Sequence, residues 1–167
     1  PVKRLLESVS TKGIYDHLEG GISRYTVDEK WIVPHFEKML YDNIQLIILL
    51  SSYINYKEEG IFKQKLKQTI NFINQEFNTE NNLLGSAFDA DSEGIEGKYY
   101  VWKYDELFKV LGDDLKTFNL KYDVTKDGNF EGSNILVQKE NVNLNKTDEI
   151  KINELEIKLL TERKKRI

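Results

Sequence analysis

The stretch Trp31-Ile-Val-Pro34-His35-Phe-Glu37-Lys-Met-Leu-Tyr41-Asp42-Asn43 brings a histidine, two carboxylates and a tyrosine close together in sequence. An imidazole flanked by carboxylates can move a proton to or from a reacting group, because its ordinary pKa lies near neutral pH. Spacing predicts that these groups share faces of one helix. Asp42 lies two turns on from His35, and Tyr41 one turn on from Glu37. Pro34 suits a first helical position, since its missing N–H is one of the donors a helix start leaves unpaired. His35 and Glu37 then fall in the first turn, where the helix dipole favours a carboxylate and opposes an imidazolium. The plainer alternative is a helix start whose polar groups cap backbone and fix a loop.

A second polar concentration is Asp89-Ala-Asp91-Ser-Glu93-Gly94-Ile-Glu96-Gly97. Tested as an EF-hand with Asp89 first, it puts Asp91 and Gly94 correctly. Glu93 is a poor fifth ligand, however, and Tyr100 stands where a bidentate Glu is needed. The EF-hand reading fails, leaving a solvated hairpin loop as the default and a looser metal site as the alternative. A third concentration is the long loop 13–33, with Tyr15, Asp16, His17, Arg24, Tyr25, Asp28 and Trp31 around the Gly20-Gly21 turn. Loops of that length inside a domain are usually functional. Asp16 beside His17 is too common a pairing to count as a dyad without geometry.

The elements that position these groups follow from periodicity. Val2, Leu5, Leu6 and Val9 predict a helix over 2–11, stopped near Gly13. Residues 34–57 read as one helix, apolar nearly all round and therefore surrounded by protein. Residues 61–77 read as an outer helix. Phe62, Leu66, Ile70, Ile73 and Phe77 form its apolar stripe, and Lys63, Lys65 and Lys67 its solvated side. The short Glu59-Gly60 turn makes these two helices antiparallel neighbours. Residues 83–88 and 98–102 predict the strands of a hairpin. Short helices follow over 104–111 and 115–120, then a short strand at 134–137 and a polar linker over 139–146. A final helix from Thr147, carrying Ile150, Leu155, Leu159 and Leu160, ends in a solvated basic run.

At 167 residues with 40% hydrophobic content, the chain can hold one ordinary domain. A net charge of −4 does not advertise a nucleic-acid or phospholipid partner. The chain has no cysteine and only two histidines, so thiol redox chemistry is excluded and little is left for a His-based metal site. No apolar run is long enough to span a membrane and no signal peptide is visible, so the expectation is a soluble, cytoplasmic protein. No P-loop, dinucleotide turn or nucleophile elbow is present, and no cofactor or metal is expected. Both ends look cut from a longer protein.

Three blocks together carry a resemblance: GIYDHLEGGISRYTVDEKWIVPHFEKMLYDN (13–43), FDADSEGIEGKYYVW (88–102) and GNFEGSNIL (128–136). In order and spacing the chain resembles the spermatogenesis-associated-protein-twenty family, whose bacterial members are called thioredoxin domain-containing proteins. The resemblance implies an N-terminal thioredoxin-like domain followed by an (α/α)6 toroid. Such toroids are similar to those of N-acylglucosamine 2-epimerase, cellobiose epimerase and the six-hairpin glycosidases. This chain would be an early piece of that toroid: mainly α, with an inserted β-hairpin, and residues 1–167 all part of one toroid domain. The family pattern usually has Gly where Lys12 and Glu19 stand, and His where Ser23 stands.

Fold-level likeness to epimerases is associational. It implies carbohydrate chemistry, either isomerase- or epimerase-like or hydrolase-like. His35, Glu37, Asp42, Asp89 and Asp91 are then the catalytic candidates, and His17, Arg24, Tyr25, Trp31 and Tyr41 the ligand-binding ones. An epimerase needs a base beside a carbonyl, whereas a hydrolase needs two carboxylates about 5–9.5 Å apart. The toroid geometry predicts that His35 faces the same cleft as Asp89, Asp91 or Arg24. Two other readings stand beside this one. The first is a binding module for a sugar-like small molecule. The second is a scaffold that docks the thioredoxin-like domain of the same full-length protein.

Overall fold

The computed structural model describes residues 1–140 and 142–166, so residue 141 of the linker lies outside the described residues. Helix α1 (Val2–Thr11) forms as its periodicity predicts. Its Leu6 and Val9 enter the core, while Val2 and Leu5 stay exposed. Residues 12–37 have no regular element but are tied by backbone bridges, Tyr15 with Ile22 and Thr26 with Pro34. The Asp28 carboxylate also accepts from the N–H groups of Lys30, Ile32 and Val33.

Helix α2 runs over Leu40–Tyr56 and does not begin at Pro34. Residues 34–39 are not helical, with Phe36 at φ 20°, because backbone groups here and at the start of α2 are taken by other segments. His35 N–H donates to the Tyr25 carbonyl at 3.0 Å and Leu40 N–H to that of Ser86 at 2.9 Å. Strand β1 (Lys38–Met39) pairs antiparallel with β2 (Ala87–Phe88). The first helical turn therefore holds Asp42 rather than His35 and Glu37, and the dipole argument does not apply to that histidine. Asn43 clamps the loop to the helix: its amide donates to the carbonyls of Ile22 and Met39, and its oxygen accepts from Ile22 N–H.

Helix α3 (Gly60–Glu76) packs antiparallel on α2. Leu46 and Leu50 meet Phe62 at one end, and Leu40 and Ile47 meet Phe72, Ile73 and Phe77 at the other. Two helical expectations change here. Only one face of α2 is covered, and Ile44, Ile48 and Tyr56 remain exposed. The inward face of α3 is rotated from the expected stripe, so that Lys65 and Thr69 are buried with Phe62 and Phe72, while Ile70 is exposed.

The strands expected over 83–88 and 98–102 do not pair with each other. Within that region a tight hairpin forms from β3 (Asp91–Ser92) and β4 (Ile95–Glu96). Glu93 and Gly94 turn it at φ of 54° and 74°, the two-residue geometry that matches strand twist. Trp102 instead bridges Asn134, which is all that forms of the short strand expected from residue 134.

Helices α4 (Tyr104–Leu111), α5 (Leu115–Phe118) and α6 (Lys146–Arg163) build a second core. Trp102, Leu107, Phe118, Tyr122, Leu155 and Leu159 fill it. The Asn145 side chain caps α6 by accepting from Asp148 N–H. The described residues are mainly helical, with two small two-stranded sheets. Among the described residues, no helix is long and apolar enough to cross a membrane.

Candidate functional site

The loop 13–23, strand β1 and the end of α6 converge on one buried carboxylate. Asp16 accepts from both terminal nitrogens of Arg163, at 3.0 and 2.8 Å, and from Lys38 Nζ at 2.7 Å. It also accepts the N–H groups of Leu18 and Glu19. Burial pushes this carboxyl up, but the charges of Arg163 and then Lys38 outweigh it and hold Asp16 below the usual carboxylate range. Lys38 donates a further bond to the Gly20 carbonyl at 3.0 Å. That contact depends on the Gly20-Gly21 turn, whose φ values are 96° and 79°. A Cβ on Gly21 would stand 2.5 Å from Phe72 Cδ1. Beside the cluster lies a cavity of about 30 Å³ bordered by Tyr15, Asp16, Lys38, Tyr100 and Arg163.

His17 is placed in the core rather than in an open cleft. Its Nε2 lies 3.0 Å from the Lys12 carbonyl, and its Nδ1 lies 3.3 Å from both Lys65 Nζ and Gln138 Nε2. A carbonyl can only accept, so Nε2 carries the proton and Nδ1 is the acceptor, which is the neutral tautomer. Burial first, then the charges of Lys65 and Lys121, holds His17 well below its ordinary pKa. Lys65 itself is pushed down to about 7, by burial and then by Lys121. Asp16 and His17 make no dyad, because the Asp16 oxygens are occupied by Arg163 and Lys38.

The outer face gathers more of the expected residues. Arg24 Nη1 lies 3.2 Å from Glu37 Oε2, and Arg24 N–H donates to the Glu37 carbonyl. Glu37 first and Tyr41 next hold the Arg24 guanidinium above its ordinary pKa. Asp42 is raised by burial against the pull of Arg24, and its Oδ2 is buried without a hydrogen-bond partner. Arg24, Glu37, Tyr41 and Asp42 are thus one cluster.

His35 stacks on Tyr25 with ring centres 4.9 Å apart, and its Nδ1 lies 2.9 Å from Glu96 Oε1. It reaches the acidic hairpin through Glu96 rather than directly through Asp89 or Asp91. Glu96 stands opposite Asp91 in the hairpin register, so the two side chains leave the same face about 5 Å apart at Cβ. Trp31, at φ 61°, packs against the Leu6–Leu46–Leu50 core beneath the loop.

Asp89 and Asp91 line a cleft of about 290 Å³. Phe72, Phe88, Tyr99 and Tyr100 form its aromatic walls, and Glu19, Glu76, Ser92 and Arg166 complete the polar lining. Three of those rings already face cations. Lys38 Nζ is 4.2 Å from the Phe72 centroid and 5.1 Å from that of Tyr100, and Arg163 Cζ is 4.8 Å from that of Tyr99. Carboxylates beside aromatic rings can bind a polyhydroxylated ligand by hydrogen bonds and stacking, and a carboxylate can also exchange protons with it.

Sequence reasoning missed Lys38, Arg163, Glu19 and Lys65 as site or core residues. The basic end of α6, expected to be solvated, instead buries Arg163. A charge in a helical pattern reads as exposed unless its partner is known, and Asp16, the partner of Lys38 and Arg163, lies 22 and 147 residues away from them.

No protein-family model matches the chain. An uncharacterised protein of Caenorhabditis elegans is 34% identical over 136 residues, covering 75% of this chain and 18% of that protein. Human spermatogenesis-associated protein 20 is 34% identical over 112 residues, covering 64% of this chain and 14% of the relative. The mouse protein of the same name is 33% identical over the same length. The similarities to the human and mouse proteins support the spermatogenesis-associated protein 20 family. The chain spans 14% to 18% of the length of these relatives.

Proposed function

We propose that this chain supplies one wall of a sugar-binding cleft in a carbohydrate-active protein of the cytoplasm. The fold of the whole is read as an (α/α)6 toroid preceded by a thioredoxin-like domain, and the chemistry as epimerase- or isomerase-like or hydrolase-like. The observation that carries the reading is the cleft in which Asp89 and Asp91 stand beside Phe72, Phe88, Tyr99 and Tyr100. Rings of this kind stack against the C–H face of a sugar while carboxylates take its hydroxyls. His35, joined to the hairpin through Glu96, is the proton-transfer candidate on the outer side, with Glu37 and Asp42 near Arg24. Tyr25 and Tyr41 supply the remaining contact surface.

The test is the full-length protein against a panel of mono- and disaccharides, measured for turnover and, separately, for binding by calorimetry. The expected result is binding that Asp91→Asn weakens, and turnover that His35→Asn abolishes while binding persists. Binding of no member of the panel would refute the reading. Binding without turnover would reduce it to a ligand-binding module.

One observation favours a second reading, a scaffold for the thioredoxin-like domain. The exposed α2 residues Ile44, Ile48 and Tyr56 form an apolar face. Stable association of that domain with this chain in the absence of sugar would support it.

A further inference from the structure

Lys65 and His17 lie where the two helical cores of the molecule meet. The His17 ring stands 5.7 Å from Tyr15 of the core built by α1, α2 and α3, and 5.6 Å from Tyr122 of the core built by α4, α5 and α6. A chain of buried polar side chains crosses this seam. Lys65 Nζ on α3 and Gln138 Nε2 both lie 3.3 Å from His17 Nδ1. On the far side, Tyr122 and Lys121 donate to one oxygen of Glu156 on α6, at 2.6 and 2.7 Å.

Lys65 differs from the other buried cations. Lys38 and Arg163 each bind Asp16, whereas Lys65 is 2% exposed and, among the described residues, forms no ion pair. Its Nζ has the Gln68 oxygen at 3.3 Å, the Tyr15 ring at 4.1 Å and a share of the single lone pair on His17 Nδ1. A buried ammonium without a carboxylate is costly, and a neutral amine far less so.

The groups around Lys65 set the direction of the effect. Burial first and the charge of Lys121 next oppose a proton on it, while Glu156 and Asp16 favour one. Burial also keeps His17, Tyr15 and Tyr122 neutral. The helices packed on α3 add little: α1 keeps Lys3, Arg4 and Glu7 exposed, and the one charged residue of α2, Asp42, is drawn to Arg24.

We propose that this seam is a proton-operated joint. A proton gained at Lys65 sets two cations, Lys65 and Lys121, against each other across the seam and loosens it, and loss of that proton closes it. The joint bears on the site, because Asp16, next to His17, anchors both Lys38 and Arg163.

Hydrogen exchange of the full-length protein, read by mass spectrometry and corrected for the intrinsic pH dependence of amide exchange, is the test. Lys65 titrates at about 7 in the closed joint and as an ordinary lysine near 10.5 in the open one, so the open form binds more protons between those values. Opening should therefore rise about tenfold from pH 8.5 to pH 7, in peptides covering 13–23, 119–124 and 134–139. Peptides from 104–111 should not follow. The rise should vanish in Lys65→Met. It should shrink in Lys121→Met, which removes the opposing charge and leaves Lys65 in place, so the test stands even where Lys65→Met does not fold. Corrected rates that do not change with pH, a change spread evenly over the chain, or an undiminished rise in either variant would overturn the joint.

Discussion

Replacing Arg163 with methionine tests the convergence of loop, strand and helix on Asp16. The arginine side chain is 2% exposed and makes three hydrogen bonds to carboxylates, two to Asp16 and one to Glu19. Methionine fills most of its volume but removes the charge. Asp16, whose side chain is 6% exposed, would then keep Lys38 as its one cationic partner among the described residues, and Glu19 would keep Lys164. Removing one partner of a buried ion pair typically costs about 3–5 kcal/mol, because the remaining charge is left uncompensated. For a chain of this length that corresponds to a fall in Tm of roughly 6–20 °C.

Urea unfolding of both proteins measures the difference directly, and Lys165→Met is the control. Lys165 is two-thirds exposed and, among the described residues, pairs with Glu162 alone, so its loss should change stability by less than about 0.5 kcal/mol. Asp16→Asn combined with Arg163→Met should cost less than the sum of the singles, with a coupling of about 1–3 kcal/mol. An Arg163→Met protein within about 1 kcal/mol of the parent, or strict additivity in the double variant, would refute the argument.

Further outcomes follow from other parts of the molecule. Lys65 titrates near 7 in the fold but about 10.5 as an ordinary lysine, so the unfolded chain binds more protons between those values. Stability should therefore rise with pH across that window. Lys65→Met should flatten this rise in urea midpoints measured from pH 7 to pH 10, and an unchanged slope would count against the buried lysine as its source. Gly21→Ala adds a Cβ against Phe72 at a positive φ. It should lower Tm by several degrees and weaken any ligand of the cleft, as read by differential scanning fluorimetry. Ile48→Lys, on the uncovered face of α2, should reduce self-association in sedimentation velocity without lowering Tm by more than about 2–4 °C. Equal association in parent and variant would exclude that face as its cause.

Helices α1, α2, α3, α4 and α6 were legible because each carries a run of apolar residues at helical spacing. That signal is local and needs no partner. The start of α2 was not. Pro34 satisfies the rule for a first helical position, but the same proline also fits a bridge with Thr26, and the tertiary pairing of β1 with β2 decides between them. The hairpin was legible in its region and not in its register. Glu93-Gly94 turns the chain at the centre of the acidic run, and the flanking apolar residues pair elsewhere, Phe88 with Lys38 and Trp102 with Asn134.

The candidate site divides in the same way. Glu37, Tyr41 and Asp42 lie close in sequence, and the segment that replaced the expected helix turn brings them together with Arg24, 13 residues before Glu37. His35 was expected to face Asp89, Asp91 or Arg24, whereas its direct partner is Glu96, a carboxylate noted only as part of the acidic run. Lys38, Lys65 and Arg163 were hidden because their patterns are those of solvated cations, and burial follows only from carboxylates or acceptors in distant segments. Those hidden cations give the cleft its charge. With Lys38 and Arg163 committed to Asp16, and Lys164 and Arg166 to neighbouring acceptors, Asp89 and Asp91 are left without a cationic partner among the described residues. The charge of the cleft therefore depends on ion pairs outside it as much as on the residues that line it.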